Sequence, residues 1–155
     1  MNFHNKKVLV LGAGISGRSV AEVLAVQGAT VVLNDSRKVD DASAEFQKLK
    51  ALNVAIITGH QDETLLQSMD FVVVSPGITI ELPLLSVARK QGITVMSEIE
   101  VAYRLCLAPI IAITGTNGKT TTTALTGEIL TAAGLHTVVG GNIGAALSQE
   151  VRGIQ

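Results

Sequence analysis

The chain has 155 residues, 47% hydrophobic, 16% charged and 3% aromatic, with a formal net charge of −1, which is room for one ordinary domain or two small ones around a real core. Near-neutrality, no basic run longer than a pair such as Lys6-Lys7 and so few rings for stacking bases argue against a nucleic-acid partner. The single cysteine, Cys106, cannot close an intrachain disulfide and suits a reducing cytoplasm, and no apolar stretch approaches the about 20 residues that span a membrane.

In chain order, Lys7–Leu11 reads as a buried strand, cut short by glycines 12, 14 and 17 too early for a signal peptide. Ile15–Gln27 reads as a helix ended by Gly28, and Thr30–Leu33 as a second strand, completing a βαβ unit. Helical spacing continues over Asp41–Leu52, then Val54–Thr58 and Phe71–Val74 return as strands, the latter closed by the turn Ser75-Pro76-Gly77. Pro83 is well placed in the first turn of a helix running to Gln91, where Gly92 ends it. Ile93–Met96 is a fifth strand. Ser97-Glu98-Ile99-Glu100 has capping-box spacing and starts a helix to about Leu107, before Pro109. A second βαβ unit follows: strand Ile110–Ile113, helix Lys119–Ala133, strand Thr137–Val139, then the start of a helix over Ala145–Val151. The pattern is α/β, with a domain boundary near residue 97. Two strands cannot bury both faces of a sheet, so residue 155 is expected to be a break in a longer protein.

Two phosphate cradles stand out. Gly12-Ala13-Gly14-Ile15-Ser16-Gly17 has G-x-G-x-x-G spacing between strand and helix, with Asp35 ending the next strand. Glycine permits a tight turn and close approach of a pyrophosphate, whose charge meets free N–H groups and the helix dipole. Tight strand–helix packing alone is the competing explanation. Asp35 suits a nicotinamide ribose; Asp35-Ser36-Arg37 equally suits a base or sugar, and Asp35 also suits a plain turn or cap. Ser75-Pro76-Gly77-Ile78 ends a strand on the same sheet edge, where its backbone faces the same ligand or simply makes a turn.

The second cradle, Gly115-Thr116-Asn117-Gly118-Lys119-Thr120-Thr121, is a short G-x-x-G-K-T form of a nucleoside-triphosphate loop. Lys119 brings positive charge to the β/γ phosphates and the Thr120 hydroxyl is a Mg²⁺ ligand. The usual first glycine is replaced by Ile113. Gly140-Gly141-Asn142-Ile143-Gly144 is a third glycine-rich turn, in which Asn142 offers an amide to a phosphate or sugar, or serves the turn. His4, His60 and His136 have no metal-ligand spacing, and Cys106 has no companion motif of a nucleophile.

Taken in order, these segments resemble the Mur ligase family over essentially every residue up to about 151. Asn117 matches its D-glutamate-adding members, whereas alanine-adding relatives resemble G-T-H-G-K there. The resemblance implies a Rossmann-like parallel five-stranded sheet over residues 1–97 that holds the UDP part of a muramoyl precursor, followed over 98–155 by an incomplete P-loop α/β central domain. It implies Gly14, Ile15, Ser16 and Gly17 at the diphosphate, Asp35, Arg37 and Gly77 around uracil, and Ser36 and Asn142 among the other substrate-binding residues. Gly115 to Thr121 would bind ATP, with Lys119 catalytic and Thr120 near Mg²⁺. The implied reaction uses ATP to convert the carboxylate of UDP-N-acetylmuramoyl-L-alanine into an acyl phosphate, which the D-glutamate amine attacks, in the cytoplasm and without membrane or nucleic acid. Later central-domain residues and the whole C-terminal domain of the family are absent, so these 155 residues alone are not expected to ligate. Two rival readings are an NAD-dependent dehydrogenase, against which the Lys119 loop counts, and a non-catalytic nucleotide-sensing module.

Overall fold

The computed structural model describes residues 1–140 and 147–150. Five strands form one wholly parallel sheet: β1 (Lys7–Leu11), β2 (Thr30–Asp35), β3 (Ala55–Thr58), β4 (Phe71–Val74) and β5 (Thr94–Ser97), in the order β3-β2-β1-β4-β5. Successive strand residues point to opposite faces, so unbroken apolar runs require cover on both sides. On β1, Val8 and Val10 join Val20 and Leu24 of α1 (Ile15–Val26), Phe46 and Leu49 of α2 (Ala44–Ala51) and Val101 of α4 (Glu98–Leu105). Leu9 and Leu11 instead join Val72 and Val74 of β4, Leu84 and Leu85 of α3 (Pro83–Lys90), and Leu65 and Leu66. Each fully buried side chain of this size contributes about 1.5–3 kcal/mol of transfer free energy.

Element ends explain themselves locally. Pro83 opens α3 at its first turn, where a missing N–H costs nothing. Ser97 accepts the Glu100 N–H at 3.1 Å to cap α4. Only half of the expected capping box forms, because the Glu100 carboxylate is engaged by Arg104 at 2.6 Å instead. A 3₁₀ turn over Glu63–Leu66, capped by Asp62, was not foreseen. Four residues carry no readable period, yet the turn brings Leu65 and Leu66 under the sheet.

Past residue 105 the expectations diverge from the structure. The helix expected over Lys119–Ala133 forms as α5 (Lys119–Ala132), but neither Ile110–Ile113 nor Thr137–Val139 is a strand. Backbone N–H and C=O groups form a strand only against a partner, and among the described residues every sheet pairing lies within β1–β5. Accordingly Ile111, Leu125, Ile129 and Leu135 stay exposed. Of the expected helix over 145–151, Leu147–Glu150 is described as one turn, α6, seated on α1 and α4. Its Ser148 N–H donates to the buried Glu98 carboxylate at 2.9 Å and its hydroxyl meets that of Ser19 at 3.2 Å. No helix among the described residues is long and apolar enough to cross a membrane.

Candidate functional site

Strand order reverses between β1 and β4, and in such sheets ligands settle in the crevice beyond the carboxyl ends of the strands at that point. A cavity of about 250 Å³ opens there, formed by Gly12, Gly14, Ile15, Ser16 and Gly17 after β1, Asp35 ending β2 and Arg37 just past it, and Ser75 to Ile78 after β4. The crevice floor is stitched by backbone. Gly12 N–H donates to the Asn34 carbonyl at 2.7 Å, Ser75 N–H to the Leu11 carbonyl at 3.1 Å, and the Ser75 hydroxyl to the Gly12 carbonyl at 3.2 Å.

The turn has the features of an anion cradle. Gly14 is the N-cap of α1, no side chain caps that end, and its first turn carries no acid. The leading N–H groups, left over by helix geometry, and the positive end of the dipole are therefore free for an anion. A methyl group at Gly14 would meet nothing within 4 Å, whereas one at Gly17 would stand 1.7 Å from the Gly12 carbonyl oxygen. Gly17 thus lets helix and turn touch, and Gly14 leaves the space a phosphate needs.

Asp35 is 3% exposed, and both carboxylate oxygens are engaged. One accepts the Ala13 N–H at 3.0 Å, the other the Arg37 N–H at 2.9 Å and the Arg37 Nε at 3.2 Å. Burial pushes the Asp35 carboxyl up, but the hydrogen bonds from the Arg37 side chain and from the Ala13 and Arg37 backbone, with the Arg37 charge, outweigh it and hold the pKa below the ordinary 3.8. A depressed folded-state pKa contributes stability that is complete above the unfolded value and disappears as pH falls through the folded one. Asp35→Asn should therefore flatten the pH dependence of melting temperature below about pH 3.8 relative to wild type. Parallel curves in thermal melts taken from about pH 6 downward would contradict that assignment.

The structure brings Gly14, Ile15, Ser16, Gly17, Asp35, Arg37 and Gly77 to one cavity. Ser36 is exposed and outside its lining, and Asn142 lies outside the described residues. Ser75 gains a role that a Ser-Pro-Gly turn signal alone did not reveal: its hydroxyl ties β4 to the phosphate turn.

Gly115 to Gly118 forms an exposed loop leading into α5, and Gly118 at its N-cap adopts φ +76°, a left-handed conformation that glycine accepts freely. Lys119 Nζ folds back to donate to the carbonyls of Gly115 at 2.5 Å and Thr116 at 3.3 Å. No side chain caps α5, and Thr120 makes no side-chain hydrogen bond among the described residues. Nor do those residues gather three His, Cys, Asp or Glu side chains to hold a metal. The described residues of this loop therefore do not form a metal site by themselves.

A family model described as "Mur ligase MurD-like, N-terminal domain" matches residues 6–97. The chain belongs to this Mur ligase family. It is 47% identical over 150 residues to the UDP-N-acetylmuramoylalanine–D-glutamate ligase of Pelotomaculum thermopropionicum, a match covering 97% of this chain and 33% of that protein. It is 45% identical over 153 residues to the ligase of the same name from Geobacter metallireducens, covering 99% and 34%. Among solved structures, a pseudomurein peptide ligase type C from Methanothermus fervidus superposes with a TM-score of 0.56 at 27% identity, covering 88% of this chain and 29% of that one. The chain spans about a third of the length of the curated Mur ligases it matches.

Proposed function

We propose that this Mur ligase segment holds the UDP-linked substrate and begins the ATP site of an enzyme that joins D-glutamate to UDP-N-acetylmuramoyl-L-alanine. The carrying observation is the uncapped α1 N-terminus opening on a cavity walled by Asp35, Arg37 and Gly77, in a chain 47% identical to a relative named for that reaction. The UDP unit is assigned to residues 1–97, with α4 packed back onto its core, and 98–155 begin the ATP-binding unit.

The diphosphate lies over Gly14 to Gly17, where N–H groups and dipole offset its charge. The base lies toward Arg37 and Gly77, with Asp35 acting mainly by ordering that wall. Asn142, outside the described residues, is assigned to the substrate through the family resemblance. At the other loop, ATP phosphates take the place of the carbonyls that hold Lys119, with Gly115, Thr116, Asn117, Gly118 and Thr121 surrounding them. The Thr120 hydroxyl would help hold Mg²⁺, which would supply further neutralising charge.

A carboxylate oxygen of the alanyl group then attacks the γ-phosphorus and ADP leaves. The D-glutamate nitrogen attacks the resulting acyl carbon, inorganic phosphate departs, and the nitrogen gives up its proton to complete the amide. Both attacking partners and the fuel are anionic, so Lys119 lowers the barrier by cancelling charge and holding reactants in line. ATP and UDP-linked precursors place the reaction in the cytoplasm.

Calorimetric titration of this chain with UDP, NADH and Mg-ATP tests the reading. UDP is expected to bind measurably tighter than NADH. Tighter NADH binding, or an adenine nucleotide preference with no response to UDP, would overturn it.

A further inference from the structure

The phosphate turn is held from behind by a side chain that the reaction chemistry does not use. Arg18 follows the last glycine of the motif, and its Nη1 donates back to the Ala13 carbonyl at 2.9 Å. The N–H of the same residue donates to the Asp35 carboxylate at 3.0 Å, so Ala13 is gripped at both its polar groups. The guanidinium is in turn seated over the buried ring of Phe46 on α2, 5.4 Å from its centroid, within the reach of a cation–π contact.

We propose that Arg18 is a positioning residue that keeps the Gly12–Gly17 turn in its anion-ready shape, coupling α2 to the diphosphate subsite; this rests on the UDP reading above. Three observations converge on it. The Ala13 carbonyl faces a donor whose planar fork is pre-organised for such a bond, which a flexible ammonium does not reproduce. The turn has few other side-chain ties: Asp35 and Ser75 hold it from β2 and β4, and Arg18 holds it from the helix side. At the α1 N-terminus no side chain caps the leading N–H groups, and Arg37 across the cavity is tied to Asp35, so anion affinity at the turn depends on those N–H groups already pointing the right way; ordering them at the moment of binding would consume interaction energy. Arg18 acts without touching the ligand.

Arg18→Met keeps an unbranched, helix-compatible stem over Phe46 while removing the donor; Arg18→Lys keeps the charge and loses the fork. In the ligand-free chain, amide hydrogen exchange at Gly12 and Ala13, both hydrogen-bonded in wild type, should quicken several-fold in Arg18→Met, about as expected for one lost bond. Exchange in the middle of β1 and β4 should not change. UDP affinity should fall about 3- to 10-fold while uridine affinity falls less than about 2-fold, with Arg18→Lys intermediate and Phe46→Leu showing a smaller change of the same kind. Unaltered exchange at Ala13, or equal losses for UDP and uridine, would overturn the proposal. If wild type itself binds no UDP, the nucleotide reading fails and takes this role with it. Unchanged UDP affinity in Arg18→Met beside intact wild-type binding removes the role of Arg18 alone.

Discussion

Replacing Lys119 by Ala in a full-length ligase carrying this segment should lower the rate of amide formation on the order of 10³-fold while UDP affinity stays within about 2-fold of wild type. The position itself argues for this. Lys119 is the first residue of α5, where a cation opposes the helix dipole, so folding gains nothing from a charge there. It is exposed, and among the described residues its ammonium is held by the Gly115 and Thr116 carbonyls, weak acceptors that a phosphate displaces. Melting temperature should accordingly be unchanged or slightly higher. Product formation from ATP, UDP-N-acetylmuramoyl-L-alanine and D-glutamate, measured beside UDP titration, separates the two effects. Equal loss of both would show that the two loops do not act as separate anion sites.

Gly17→Ala should be the most damaging single methyl group in the amino-terminal unit. Its new carbon would fall 1.7 Å from the Gly12 carbonyl oxygen and 2.7 Å from the Ser75 hydroxyl. Backbone lies on one side of the clash and the start of α1 on the other, so relief requires moving the turn. Overpacking of this kind costs about 1–3 kcal/mol of stability. The displaced N–H groups no longer converge on one anion, and each lost charge-assisted bond weakens UDP binding by about 10- to 100-fold. Gly14→Ala serves as the control, because its methyl meets nothing within 4 Å. It should destabilise far less and still obstruct the diphosphate. Denaturant melts and UDP titrations of both variants test this, and similar stabilities for the two would contradict the close-packing role of Gly17.

What could be read from residues alone follows from what is local. β1–β5 were legible because buried parallel strands are short apolar runs bounded by turn residues, and the phosphate turn because its glycines stand at fixed offsets between strand and helix. The reading of Ile110–Ile113 and Thr137–Val139 as strands went astray for a physical reason: an apolar run looks the same with or without a neighbouring strand to complete its hydrogen bonds. The inward engagement of Asp35 was hidden too, since its partner Ala13 lies 22 residues away in sequence and alanine carries no polar side chain to betray the contact. Arg18 was invisible for a similar reason. Its ring partner Phe46 sits on a different helix, and only packing of α1 beside α2 joins them. Ser36 was grouped with its neighbours by adjacency, whereas the strand end places it outside the cavity lining.

The central claim is that the crevice after β1, β2 and β4 receives a uridine diphosphate. Following the UDP titration on isotopically labelled chain, residue by residue through backbone amide shifts, tests it most directly. The account predicts saturable shifts concentrated at Gly14 to Gly17, Arg37 and Gly77, with little response to NADH at equal concentration. Shifts led by NADH, or UDP-induced shifts that leave Gly14 to Gly17 unmoved, would contradict it.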